Sequence, residues 1–237
     1  MNRILFERDE IKDGAATFGG VRAEHVLKVL HGEVGQVLKT GEVDGPVGTG
    51  EITAIDCGTV TVRLKHDSTS LEPWVDLVLA PPRPRVMKRL LPQLAAMGVG
   101  RIVLVGAKKV EKDFWGATLL KEEIYRPLLV DGLMQAGTTA LPKISVQRNF
   151  RKWLREGLDA EFPSRRRIVA HPYGAADRAA ADGGSGRLLL AVGPEGGWTD
   201  EEVALLEERG FSRFSLGPRI LRTDTAVIAL LATFLRA

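Results

Sequence analysis

From residue 75 onward, apolar strands and helix-length amphipathic stretches take turns. This alternation constrains the fold more than any other feature of the chain. VDLVLA (75–80), RIVLVG (101–106), KISVQ (143–147), RRIVAHP (166–172) and RLLLAVG (187–193) read as strands. Between them, PRVMKRLLPQLAAMGV (84–99) reads as a helix interrupted or kinked near Pro92, because an interior proline removes one backbone hydrogen bond. Leu119 to Gln135 reads as a long amphipathic helix, with Leu120, Ile124, Leu128 and Met134 among its apolar positions. Nearly continuous apolar strands alternating with helices imply a parallel sheet covered on both faces.

Before residue 72 the rhythm differs. EVGQVLKTG, VGTGEITAID and GTVTVRLKH are short β-branched runs punctuated by glycine and aspartate. One short helix is expected from Arg22 to Leu30, where Val26, Val29 and Leu30 make a narrow apolar stripe. The pattern predicts a small β-barrel over 1–72, a link DSTSLEPW, and an α/β domain over 73–237. AADRAAADGGSG (175–186) is an Ala/Gly-rich loop with no evident chemistry, and there is no internal repeat.

The 237 residues are 44% hydrophobic, enough for one good core or two smaller ones. Lys and Arg total 33 against 30 Asp and Glu, a net charge of +3. That balance permits an RNA partner where arginines cluster but does not demand one. The single cysteine, Cys57, excludes an intrachain disulfide and fits a reducing cytosol. Its place in an alternating stretch predicts a small buried hydrophobe rather than a nucleophile. MNRILFERDE lacks a long apolar segment of the signal-peptide kind, and Ala226 to Leu235 is about half of what a bilayer crossing needs. A cytoplasmic protein without a membrane span or a metal centre is expected.

The chemistry points to LAVGPEGGWTDE (190–201). The apolar strand stops at Gly193, and Thr199 with Glu202 makes a capping box for the helix that follows. GPEGG is therefore a strand-to-helix loop at the carboxyl edge of a parallel sheet, where open α/β sheets bind ligands. It is no phosphate loop, since the Gly-Lys-Ser/Thr ending is missing and Glu195 would repel a phosphate. No dinucleotide fingerprint stands at a strand end either; the Gly-x-Gly pairs at 48/50, 98/100 and 184/186 are isolated. A second loop, about twenty residues on, leaves a strand expected over Phe214 to Leu216: Gly217-Pro218, then RILR, then a helix from Thr223 or Asp224. Two such loops can shape one cofactor pocket from backbone groups.

GPEGGWTDEE followed by GFSRFSLGPRILRTDTA resembles the signature of the RsmE family, S-adenosylmethionine-dependent RNA methyltransferases of the SPOUT superfamily that methylate N3 of a uridine in 16S ribosomal RNA. HVLKVLHGEVGQ is similar to the family's PUA-like, RNA-binding amino-terminal barrel. The resemblance implies a trefoil-knotted parallel-sheet domain, a homodimer, and the small ribosomal subunit as partner. It assigns cofactor contacts to Leu190, Gly193, Glu195, Gly196, Leu216, Gly217, Ile220 and Leu221. Leu190, Leu216, Ile220 and Leu221 read equally well as core.

Uracil N3 carries a proton, so the reaction needs a group that removes it or stabilises the anion; a fixed guanidinium beside the uracil oxygens does the latter. Arg222 is the first candidate and Arg219 the second, with His171 at a strand end as a further catalytic candidate. Asp224 reads as a helix-start charge. RNA contacts are expected from Arg3, Arg8, Arg22, His25, Lys28 and Gln135, with RKWLRE and PSRRRIV as alternative basic stretches. The chain departs from the family pattern at Gln93 (usually Lys), Ala96 (usually Glu), Thr138 (usually Arg) and His31 (usually Arg). These departures spare the cofactor motifs. They leave room for another RNA site as target, or for an RNA-binding protein that holds cofactor without turnover.

Overall fold

The computed structural model describes residues 2–163, 165–173 and 186–235. The expected Ala/Gly-rich loop lies almost wholly outside them. Packing groups Met1–Glu72 with Pro127–Leu141 in one unit and Pro73–Arg126 with Pro142–Ala237 in another.

In the first unit, β1 (Ile4–Phe6), β2 (Ile11–Lys12), β3 (Ala15–Phe18), β4 (Val37–Glu42), β5 (Val47–Asp56) and β6 (Thr59–Ser68) form a sheet in the order β1-β4-β5-β6-β3-β2. Only the β1–β4 pair is parallel. Inward residues at alternate positions, among them Phe6, Phe18, Ile52, Val60 and Val62, share a core with Ala23 and Val26 of the helical segment. That segment is α1 (Gly20–Glu24), continued by a π turn over His25–Val29.

Cys57 departs from expectation. It is exposed, because the β5–β6 hairpin turns on Cys57 (φ 44°) and Gly58 (φ 82°), with Asp56 paired to Thr59. Two consecutive residues at positive φ make the primed turn that matches strand twist, and this places the thiol at the hairpin tip.

The second unit holds β7 (Val75–Leu79), β8 (Val99–Val105), β9 (Lys143–Gln147), β10 (Arg166–Ala170), β11 (Leu188–Val192) and β12 (Ser212–Phe214). All its pairings are parallel, in the order β12-β10-β11-β7-β8-β9. Every residue of β7 and β11 is buried, as helices on both faces require. The helices of this unit are α2 (Pro84–Ala96), α4 (Phe150–Glu156), α5 (Leu158–Glu161), α6 (Asp200–Glu208) and α7 (Thr223–Phe234), while α3 (Glu122–Ala136) belongs to the first unit from Pro127 on.

Two details correct the sequence reading. Helix α2 runs on through Pro92 without interruption: Met87, Leu90, Leu91, Leu94 and Ala95 bury on both sides of it, and that stripe outweighs one lost backbone bond. The last strand is Ser212–Phe214, earlier than Phe214–Leu216. It ends where the Ser215 hydroxyl takes the Gly217 N–H at 3.1 Å, which turns the chain out of the ladder.

Candidate active site

Strands β11, β10 and β12 end side by side, and a cavity of about 300 Å³ opens at their carboxyl ends. Its walls are the segment after β10 (His171, Pro172, Tyr173), the GPEGG loop after β11, and Leu216 to Leu221 after β12, closed by Thr223, Ala226 and Leu230 of α7. This is the crevice at which open parallel sheets bind ligands.

The GPEGG loop is braced from several directions. Thr199 caps α6, accepting the Glu202 N–H at 3.3 Å while Glu202 accepts the Thr199 N–H at 2.9 Å. The other oxygen of the buried Glu202 carboxylate takes the Lys108 N–H at 2.8 Å. Lys109 Nζ donates to the Gly196 carbonyl at 2.7 Å, and the Arg83 N–H donates to Glu195 at 3.1 Å. Arg83 in turn pairs with Glu111 at 2.8 Å, a hydrogen bond that raises its guanidinium pKa above the usual value. A side chain at Gly193 would stand 3.0 Å from the Trp198 nitrogen, and one at Gly196 2.9 Å from Lys109 Cδ. Gly217 sits at φ 116°, a conformation that favours glycine.

Gly193, Glu195, Gly196, Leu216, Gly217, Ile220, Leu221 and Arg219 all line the cavity. Leu190 does not: it lies in the middle of β11 with no exposed surface and is core. Ile220 is 67% exposed, so it is an apolar side chain held in the open rather than core. Arg222 is the N-cap residue of α7, between the lining residues Leu221 and Thr223. Among the described residues neither Arg219 nor Arg222 has a side-chain partner. Asp224 lies in the first turn of α7 and faces Arg89 at 3.5 Å, in keeping with a helix-start charge. The sequence reading passed over Tyr173, Trp198 and the braces Arg83 and Lys109. No group of three or more metal-ligating side chains occurs among the described residues.

The RNA candidates divide. The Arg3 guanidinium bonds the carbonyls of Gly137, Thr40 and Gly48, at 3.0, 2.6 and 3.1 Å. Arg22 bonds Leu5 O and Glu10, against the rings of Phe6 and Phe18. Both are engaged in holding the first unit together, not displayed. Arg8 and Lys28 are exposed, 3.9 Å from Glu42 and 3.7 Å from Glu24. Gln135 is exposed, and His25 is half-buried with no partner for Nε2 among the described residues. In the alternative stretches, Arg165 and Arg167 pair with Asp76 and Asp159, and Arg151 pairs with Glu201.

The RNA methyltransferase domain model matches residues 69–235. The ribosomal RNA small subunit methyltransferase E of Treponema pallidum is 31% identical over 242 residues, covering 99% of this chain and 91% of that protein. The chain belongs to the RsmE family. Another RsmE relative, the E 1 protein of Borreliella burgdorferi, is 26% identical over 97% of this chain and 95% of its own length. Among solved structures, a Legionella pneumophila protein in complex with S-adenosylmethionine superposes with a TM-score of 0.75 at 25% identity, covering 98% of this chain and 96% of that one. The RsmE protein of Neisseria gonorrhoeae, also bound to S-adenosylmethionine, has the same fold, with a TM-score of 0.76 at 22% identity over 98% and 95% of the two chains.

Proposed function

We propose that this chain is an S-adenosylmethionine-dependent methyltransferase acting on small-subunit ribosomal RNA, with N3 of a uridine as acceptor. The observation that carries the reading is the single cavity walled by both glycine loops. The residues fit the cofactor: Val192, Leu216, Ile220, Leu221 and Leu230 offer apolar faces to an adenosine, and the crowded glycines leave backbone groups within reach. The cofactor supplies an activated methyl group on a sulfonium. The protein's part is to orient the acceptor, exclude water and stabilise charge. Gly193, Glu195, Gly196, Leu216, Gly217, Ile220 and Leu221 hold the cofactor; Arg222, with Arg219 beside it, faces the uracil oxygens as N3 loses its proton.

The same reading gives a PUA-like barrel over 1–72 that docks RNA through Arg8, His25 and Lys28, and a trefoil-knotted catalytic domain over 73–237. The crossing order supports the knot: β11 is inserted between β7 and β10, and the chain then passes beyond β10 to form β12. The working form is a cytoplasmic homodimer. Leu235, half exposed after α7, belongs to an apolar edge that a two-fold axis can cover. Ala96, at the end of α2, and Thr138 depart from the family pattern and favour a second reading, an acceptor elsewhere in RNA.

Calorimetry should show saturable binding of S-adenosylmethionine, abolished by Gly196→Arg, which fills the loop. Binding of NAD or ATP in its place overturns the cofactor assignment. Mapping modified bases in ribosomal RNA from cells with and without the gene identifies the acceptor. Absence of any modified base specific to the gene favours the non-catalytic RNA-binding protein. A single 25.8 kDa species in light scattering at micromolar concentration contradicts the dimer.

A further inference from the structure

Strand β10 lies between β11 and β12, so its carboxyl end opens between the two glycine loops. The first residue past it is His171, which lines the cavity. Its backbone N–H is fixed to Phe214 O at 3.0 Å. Its ring is fixed as well, with Nδ1 2.8 Å from the Tyr173 carbonyl oxygen. A proton on Nδ1 would be donated to that oxygen, whereas an unprotonated Nδ1 would set its lone pair against it. The Tyr173 N–H donates to the same nitrogen at 3.2 Å when Nδ1 is unprotonated; the shorter contact, donation from Nδ1, is the tautomer taken here. A neutral imidazole protonated at Nδ1 has a bare Nε2, and among the described residues no hydrogen bond reaches it.

The other ionisable side chains lining the cavity do not offer this. Arg219 is a permanent cation with no acceptor, and Tyr173 presents a phenol, not a base. Glu195, the other possible base, has Oε1 on the Arg83 N–H and stands on the loop assigned above to the cofactor. Just outside the lining, Arg222 is also a permanent cation, and Asp224 and Glu207 face Arg89 and Arg213.

We propose that His171 is the catalytic base of the reaction, with Nε2 taking the proton from uracil N3. The inference rests on the uracil-N3 reading above. N3 passes its proton to Nε2 and keeps the electron pair, and the negative charge spreads onto the neighbouring uracil oxygens beside Arg222 and Arg219. N3 then bonds to the methyl carbon as the carbon–sulfur bond breaks; that bond's pair stays on sulfur, which becomes a neutral thioether. The imidazolium returns its proton to water.

Three measurements test this on the full chain: single-turnover methyl transfer to unmethylated small subunits, equilibrium binding of S-adenosylmethionine, and nitrogen NMR of the imidazoles in the free protein. His171→Gln keeps polarity but cannot take the proton, so its rate should fall about 100-fold or more, the scale of a lost general base, with cofactor affinity unchanged. His171→Ala should regain rate when free imidazole is added. The NMR should find His171 protonated at Nδ1, a result independent of turnover. Parental rates in both variants, rate and cofactor binding lost together, or a proton found on Nε2 would each overturn the assignment. Failure of the underlying reading looks different: the parent enzyme then makes a nucleoside other than N3-methyluridine. Failure of the His171 assignment alone leaves N3-methyluridine forming.

Discussion

The two ends of the parallel sheet use charge in opposite ways. At the amino ends of the strands, charged groups are paired with one another. Asp76, wholly buried in β7, takes Arg187 at 2.6 Å and Arg165 at 3.4 Å. Asp159 takes Arg167 and Arg209, and the Arg101 guanidinium bonds the Glu161 carbonyl. At the carboxyl ends, Arg219, Arg222 and the His171 Nε2 have no partner among the described residues, and Ile220 stands exposed. Both ends are rich in arginine, so composition does not separate them. The difference lies in Arg219 and Arg222: Arg83, Lys109 and Arg89 at the carboxyl ends also find partners within the fold, whereas these two have none among the described residues. One end is built for stability and the other for chemistry.

The largest expected effect is at the amino end. Asp76→Ala strands two guanidiniums beside a dry strand and should cost about 3 kcal/mol in equilibrium denaturation, as when one member of a buried ion pair is removed. Cofactor affinity should not move, and a loss below about 1 kcal/mol would erase the contrast. Next is Arg222→Ala, which should slow methyl transfer about 100-fold, near 2.7 kcal/mol, the scale of one lost charge-stabilising group. Its stability should change by less than about 0.5 kcal/mol. Arg222→Lys should recover only part of the rate, since an ammonium lacks the planar fork. Unchanged rates in both variants shift the role to Arg219, whereas joint loss of rate and cofactor binding makes Arg222 a structural residue.

Smaller still, Thr199→Ala removes the cap of α6 and should cost about 1 kcal/mol. A cost equal to that of Asp76→Ala would mean that the carboxyl end is just as structural. The smallest effect is on the pH dependence of stability. The hydrogen bond from Arg167, helped by Arg209, holds the Asp159 carboxyl below its usual pKa. A carboxyl with a lowered folded-state pKa contributes stability above its unfolded value, and loses it as pH falls through the folded one. Asp159→Asn should therefore lower stability slightly at neutral pH, where the carboxylate's contribution is fully present, leave it unchanged once the carboxyl is protonated, and so flatten the acid limb of the stability curve below about pH 4.

How much of this was legible in the sequence depended on the range of the interactions involved. The strands β7 and β11, the capping box and both glycine loops follow from local periodicity and turn chemistry, and the structure places them where those signals point. Leu190 was misread because it lies in the middle of a strand covered on both faces and is wholly buried; only Val192, at the strand's carboxyl end, reaches the cavity. Arg3 and Arg22 were misread because a cation's partner is chosen by the tertiary fold. The braces on the GPEGG loop were invisible for the same reason, since Arg83 and Glu195 lie 112 residues apart and Lys109 and Gly196 lie 87 apart. Only Cys57 had an overlooked local signal, the Asp-Cys-Gly-Thr turn between two alternating runs.

That turn has a practical side. The chain's one thiol projects from the tip of a hairpin in the first unit. Maleimide reagents should therefore label each chain at one known position. Oxidation in air should also join chains in pairs through that position, whatever the native assembly is. Light scattering done without a reductant would then count a laboratory crosslink as a biological dimer. Once labelled, the same cysteine carries a dye that tests whether RNA reaches the first unit.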